Sequence, residues 1–347
     1  MLPIELGFRM PGEWEKRGRT FMEWPTRESL WPDGIMDAKI GYAKIAMAIS
    51  QFEEVVIIAK EGLVKEVNDM CRERVKILSM EHDDSWMRDN GPTFLINKDN
   101  ELAGINWIFN AWGNKYHPYD KDDEMAKKVL DVFNIKSFNA PIVLEGGSIH
   151  VDGEGTLVTT EECLLNKNRN PELGKKEITE VLKNYLGIQK IIWLKTGLYG
   201  DETDGHVDNV ACFARPGVIV TQVCGDKNDP NYARTLDNIN ILKDSNDAKG
   251  RKLQIIEIQQ PPVRFFKGRR LVLSYLNYYP VDGGIIVPVF GKDAKETDNE
   301  AIGVLQKLYP DRKIVPVDGI PIIKGGGNVH CITQQMPLGK ICGGTKL

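Results

Sequence analysis

With 41% hydrophobic and 27% charged residues, a chain of 347 residues has ordinary globular composition and enough length to bury a large core. A net charge of −4 with both signs well mixed gives no basic footprint for nucleic acid, and it suits a small cationic partner. No stretch reaches the roughly 18 apolar residues of a membrane span, and MLPIELGFRM lacks the basic-then-apolar order of an export signal. A soluble, cytoplasmic protein with no membrane or nucleic-acid partner is therefore expected.

In chain order, a helix is expected in MDAKIGYAKIAMAISQF from Met36, then a strand VVIIA, a helix in EGLVKEVNDMCRER from Glu61 and a strand VKILSM. The strand INWIF precedes a helix in DDEMAKKVLDVF from Asp122. GTLVTT, a helix in KKEITEVLKNYLG from Lys175 and KIIWLK follow. Next come GVIVTQV, a helix beginning near Tyr232 and LQIIEI; GGIIVPVF and a helix in KETDNEAIGVLQKLY from Lys295 close the series. The helices from Glu61, Asp122, Lys175, Tyr232 and Lys295 start 53 to 63 residues apart, which predicts five copies of one supersecondary unit. Five units of short strands with one covering helix close into a ring. The expected class is α/β, a five-bladed pseudo-symmetric α/β propeller with helices outside and strands lining a central pocket, one domain over 1–347. A doubly wound parallel sheet with a second domain fits the same order of elements.

The cysteines at 71, 163, 212, 224, 331 and 342 include no C-x-x-C pair and read as reduced thiols, most of them small core hydrophobes. Cys331 differs: GGGNVHCITQQMP clears side-chain bulk ahead of it on a short β-type stretch. Asp89 precedes a Gly-Pro turn in SWMRDNGPTF, Glu145 ends an apolar strand in VLEGGSIHV, and His206 and Asp208 open a strand in GDETDGHVDNVACF. Taken singly, each has an ordinary structural explanation: a turn aspartate, a surface turn, a core histidine, a core thiol. Together they fall 56, 61 and 125 residues apart, or one, one and two repeat lengths, which places them around one pocket. The i, i+2 spacing of His206 and Asp208 puts both on one face of a strand, and the same alternation turns His330 away from Cys331.

A thiol, a histidine and an orienting acid make a thiol-hydrolase set. The spare carboxylates ask for a cation rich in N–H donors, and a guanidinium pairs with carboxylates bidentately and favours thiolate over thiol.

Those residues and their surroundings resemble the agmatine deiminases, a branch of the guanidine-modifying superfamily that also holds bacterial peptidyl-arginine deiminases. The resemblance is carried by FRMPGEWEKRGRTFMEWP (8–25), DSWMRDNGPTF (84–94), FNAWGNKY (109–116), LEGGSIHVDGEGTLVTTEECLLNKNRNP (144–171), GDETDGHVDN (200–209), SYLNYY (274–279) and GGGNVHCITQQMP (325–337). It implies the five-bladed propeller, deimination of agmatine through a cysteine thiouronium intermediate, no metal or organic cofactor, and a homodimer or larger assembly. By position it makes Cys331 the nucleophile, His206 the general acid/base, Glu145 its orienting acid, and Asp89 and Asp208 the guanidinium clamp. Trp86 and Glu202 would flank the aliphatic chain and amine of the substrate, with Gly326 and Gly327 lining the approach; the one nearby cation, Arg88, is expected to point away. Cys163, Cys212 and Cys224 are expected to be dispensable. EKRGRT departs from the family pattern and is expected at the pocket entrance. Free or peptidyl arginine is the alternative substrate; a metallohydrolase built on His206, Asp208, Glu145 and Cys331, or a non-catalytic propeller binding a cation, are the remaining readings.

Overall fold

The computed structural model describes residues 1–31 and 33–341, so Cys342 lies outside the described residues. Four three-stranded sheets share one construction: Thr93–Ile96, Leu102–Ile108 and Lys136–Val143; Ile149–Val151, Thr156–Thr160 and Lys190–Leu194; Ala211–Arg215, Val218–Val223 and Gln254–Gln259; Tyr279–Val281, Gly284–Val289 and Lys313–Asp318. In each, the first two strands pair antiparallel through a short connection and the second and third pair parallel. A parallel pair needs a long crossover, and each crossover carries one helix of eight residues or more: Met125–Val132, Lys175–Leu186, Asn231–Asp244 and Lys295–Leu308.

The fifth sheet joins both ends of the chain. Arg17–Glu23 pairs antiparallel with Gln334–Pro337 and parallel with Glu54–Ala59, and the crossover helix is Ile35–Ile49. A further helix, Val64–Cys71, leads to a fourth strand, Lys76–Ser79. The expected period is thus corrected at its start. The helix from Met36 is the repeating one, and the helix after Glu61 belongs to an insertion. The segment Lys16–Thr20 is also corrected: it enters this first strand, where Arg17 is buried against Glu53 and over the Tyr279 ring, away from any pocket entrance.

The middle strands are apolar because both of their faces are covered; every residue of VVIIA is buried. Helix Lys175–Leu186 shows how the helices attach. Ile178, Leu182 and Leu186 form one buried stripe against Phe138, Ile142 and Leu157. Each such side chain contributes about 1.5–3 kcal/mol on burial. Gly187 ends that helix with φ +66, where a Cβ would stand 2.5 Å from the Phe8 carbonyl. Among the described residues no helix is long and apolar enough to cross a membrane.

In all five sheets the segment that enters the first antiparallel strand is a short turn or single-turn helix. These segments hold Asp89, Glu145, His206 with Asp208, Asn277 and Cys331. Met336, on the strand that ties the C-terminal region to the first sheet, is fully buried with Phe21, Val56, Met87 and Phe94. Met336→Ala is expected to lower stability by about 2–5 kcal/mol, seen as a lower urea midpoint with an unchanged slope.

Candidate active site

Cys331 sits in a turn, three residues before its strand begins, which corrects the expected β-type setting. The glycines ahead of it are required by contact. A Cβ on Gly325 would lie 2.4 Å from the Trp31 ring, and one on Gly327 would lie 2.4 Å from Trp86 and 2.9 Å from the Cys331 Cβ; Gly326 has φ +114. Asn277 holds the turn: its Oδ1 accepts from the His330 N–H at 2.9 Å, and its Nδ2 donates to the Cys331 sulfur at 3.2 Å. From the other side, the Arg88 N–H donates to the Cys331 carbonyl at 3.1 Å. Arg88 lies in the single-turn helix Met87–Asn90, not in an extended segment. Its guanidinium does turn away from the pocket, donating to Gln335 Oε1 at 2.8 Å.

The same helix carries Asp89, whose two oxygens accept from the Gly147 N–H at 2.9 Å and the Trp112 indole at 2.8 Å. Glu145 accepts from Arg169 Nε at 2.8 Å, with both side chains wholly buried. His206 and Asp208 are corrected in setting but not in direction: they belong to a 3₁₀ turn, Val207–Asn209, with His206 at its N-cap. The His206 ring lies between carboxylates, Nδ1 3.8 Å from Asp89 and Nε2 3.7 Å from Glu145. Asp208 Oδ2 accepts from the Cys331 thiol at 3.5 Å and from His330 Nδ1 at 3.0 Å. Gly147 makes this convergence possible, since a Cβ there would meet His206, Asp89 and Asp208 at 2.6, 2.8 and 3.1 Å.

The charges follow from burial and proximity. Burial pushes the Cys331 thiol well above its ordinary range, and Asp208 and Asp89 push it further. Burial alone would strip the proton from His206, but Asp89, Cys163 and Glu145 outweigh it and hold the imidazole protonated well above its usual range. Burial raises Asp89; in Glu145 it is overcome by Arg169 and His206, and in Asp208 by His330 and His206, so both of those are lowered. The resting set is a neutral thiol beside an imidazolium and carboxylates.

Cys163 is a correction to the expected apolar setting. Its sulfur, a Glu145 oxygen and a His206 nitrogen lie within 4.8 Å of one another. These atoms are of ligand type, and Arg169 sets a guanidinium against the same Glu145. Cys212 packs against the Tyr278 hydroxyl and Cys224 against the Asp226 carbonyl, away from this centre.

A narrow pocket leads to Cys331, lined by Trp86, Trp112, Tyr116, Asp89, Glu202, Asn209 and Gly325–Gly327. Trp112 presents its indole from a left-handed stretch, with φ +50 at Ala111 and +55 at Trp112, conformations that cost non-glycine residues free energy and that cluster at functional sites. At the outer end Glu202 accepts from the Tyr116 hydroxyl at 2.9 Å and from Arg269 Nη1 at 2.5 Å. Lys115 donates to the Glu202 carbonyl and to Asp204. Arg88 is therefore not the one nearby cation: Arg269 and Lys115 stand at this rim. Sequence reasoning missed Arg169, Trp112, Tyr116, Arg269 and Asn277. Trp112, Tyr116, Arg169 and Asn277 lie in stretches that carry the resemblance, and Asn277 had a further signal: the double step from 206 to 331 leaves one unit without a site residue, and Asn277 enters the strand of that unit.

A buried thiol, a histidine between two carboxylates and a third buried carboxylate are gathered in one site. The Porphyromonas-type peptidyl-arginine deiminase family model matches residues 9–337, and the chain belongs to that family. An agmatine deiminase of Medicago truncatula is 42% identical over 367 aligned positions, spanning 96% of this chain and 98% of that protein. Among solved structures, the Enterococcus faecalis agmatine deiminase has a TM-score of 0.92 at 37% identity, with 97% of each chain covered. A substrate-bound Campylobacter jejuni agmatine deiminase has a TM-score of 0.87 at 28% identity, covering 96% of this chain and 97% of that one.

Because the resting thiol is neutral, alkylation of Cys331 should depend on the charge of the reagent. Chloroacetamidine, a cation, is expected to label Cys331 at least about a hundredfold faster than iodoacetamide at neutral pH, and iodoacetamide labelling should rise steeply with pH. Equal rates, or an adduct on another cysteine by mass spectrometry, would contradict this account.

Proposed function

We propose that the protein hydrolyses agmatine to N-carbamoylputrescine and ammonia. One observation carries the reading. Asp208 Oδ1, on the carboxylate beside Cys331, is buried with no hydrogen-bond partner among the described residues, and Glu145 Oε2 and His206 Nε2 stand loosely opposed at 3.7 Å. Buried polar atoms are nearly always paired, so Asp208 Oδ1 is a place kept for a ligand donor, and the loose Glu145–His206 pair leaves the ring free to pass a proton.

In this reading a guanidinium enters past the Trp86 and Trp112 rings and is gripped by Asp89 and Asp208. Its charge reverses the electrostatics that keep Cys331 protonated, and the thiol proton leaves to solvent. The thiolate adds to the guanidinium carbon, forming a C–S bond. His206 gives its proton to one nitrogen, the C–N bond breaks, and ammonia leaves a thiouronium. Neutral His206, oriented by Glu145, then takes a proton from water as the hydroxide adds to the same carbon. As this adduct collapses the C–S bond breaks, its hydroxyl proton passes to sulfur, and the ureido product leaves the thiol. We propose also that the five sheets close into one five-bladed propeller, a reading supported by their common pairing order and by the C-terminal strand completing the first sheet.

The far end of the pocket distinguishes the substrates. Glu202 suits the ammonium of agmatine and opposes the α-carboxylate of arginine. Arg269 and Lys115 favour the second reading, arginine, but Arg269 is engaged by Glu202 and by the Lys324 carbonyl. Ureido product formed from agmatine, arginine and an arginyl peptide, assayed side by side, tests the choice. The expected kcat/KM for agmatine exceeds that for arginine by at least about a thousandfold, some 4 kcal/mol. Asp208→Asn and Asp89→Asn should each lower kcat/KM by at least about a hundredfold, and Cys331→Ser should abolish turnover with the fold retained. Equal or faster turnover of arginine would reverse the substrate assignment.

A further inference from the structure

Behind Asp208, on the side away from the pocket, lies a second buried set that the chemistry above does not use. His330 donates from Nδ1 to Asp208 Oδ2 at 3.0 Å, and its Nε2 stands 2.8 Å from Glu13 Oε1. A neutral imidazole has one N–H, so two carboxylates at hydrogen-bond distance from both ring nitrogens require the doubly protonated ring. Glu13 in turn receives Arg88 Nη1 at 3.4 Å, and His150 Nε2 lies at 3.7 Å. Arg17 donates to the Glu13 carbonyl. All of these side chains are buried. The result is a file from Glu13 through His330 to Asp208 Oδ2, with Asp208 Oδ1 left unpartnered.

Resting on the assignment of Asp208 to the guanidinium clamp, we propose that Glu13 and His330 are positioning residues for cation recognition: they fix one oxygen of Asp208 and keep the other free for the substrate. The charges agree. Asp208, Glu13, Arg88, His150, Cys212 and Tyr278 face the His330 ring or its cavity. Burial and Arg88 favour the neutral ring, while Glu13 and Asp208 prevail and raise it above the ordinary histidine range. Glu13 is lowered despite its burial, by His330, Arg88 and His150. The file also reaches the nucleophile, since His330 precedes Cys331 and its N–H is held by Asn277.

The sign follows. A raised His330 is charged at pH values below its folded pKa, and its grip on Asp208 is lost as pH rises through that value. Removing the charge of Glu13 brings that loss to lower pH. Once neutral, the ring keeps its proton on Nε2 or Nδ1 but not both, and one carbonyl or carboxylate then faces a lone pair.

The test compares wild type, Glu13→Gln and His330→Gln from about pH 6 to about pH 9. Cys331 is alkylated with chloroacetamidine and with iodoacetamide, and agmatine turnover is followed in parallel. Glu13→Gln keeps the side-chain shape and an acceptor, so it carries the test if His330→Gln does not fold. In Glu13→Gln the amidine-over-amide rate ratio is expected to match wild type near pH 6 and to fall at least about tenfold below it by pH 9, with KM for agmatine rising over the same range. In His330→Gln the ratio is expected to be low throughout. A ratio that follows wild type at every pH overturns the proposal, as does an equal loss with both reagents, which marks a purely structural role. A wild type with no amidine preference overturns the clamp assignment and this inference with it.

Discussion

The site is one positive charge short of holding Cys331 as a thiolate, and that shortage governs the rest of the structure. Asp89 and Asp208 are buried beside the Cys331 thiol, and Glu145 with His206 beside that of Cys163. Glu145 has Arg169 and Asp208 has His330, but Asp89 receives only the neutral N–H groups of Gly147 and Trp112. His206 balances Asp89 by staying protonated, which leaves no cation for a thiolate, and Cys331 remains a thiol. Buried charge left uncompensated is costly, so a fold that tolerates this arrangement has to hold it rigidly. Five entering segments, one from each sheet, supply that rigidity, each tied to its neighbours by backbone contacts that no single loop makes alone. On the proposed function, a planar cation supplies the charge that a thiolate needs, so binding and activation become one event.

Much of this was legible in the chain. The parallel strands announce themselves because burial on both faces demands runs such as VVIIA and VIVTQV, and the crossover helices because one face must be apolar. The first antiparallel strands are shorter and carry polar ends, so periodicity missed most of them. The insertion Val64–Cys71 imitates a repeat helix in length and pattern, and only pairing reveals that the helix at Ile35–Ile49 is the crossover. Spacing by repeat length found Asp89, Glu145, His206, Asp208 and Cys331 because equivalent entries to equivalent strands recur at that interval.

The residues that stayed hidden share one property: their roles exist only across the fold. Arg169 lies 24 positions from Glu145, in a loop whose sequence resembles any polar turn, and Asn277 acts across 54 positions on Cys331. His206 and Asp208 were placed in one site by an argument from strand alternation that the 3₁₀ turn makes inapplicable. The glycines supplied the sounder clue. Gly147 and Gly327 stand where any side chain would occupy the space between reacting groups, a constraint that acts on the chain locally and so remains visible in its sequence.

Depth divides the labour within the pocket. At its floor every charged group is buried, so a change there disturbs recognition and chemistry together. At the rim the Glu202–Arg269 pair keeps more than a third of each side chain exposed, and an ion pair of that kind contributes little net free energy. On the proposed function, Glu202 exchanges Arg269 for an incoming ammonium at small cost while keeping its Tyr116 contact. On that reading the floor meets the guanidinium that agmatine and arginine share, and the solvated rim meets the end at which they differ, so it sorts them without touching the buried charges around the thiol.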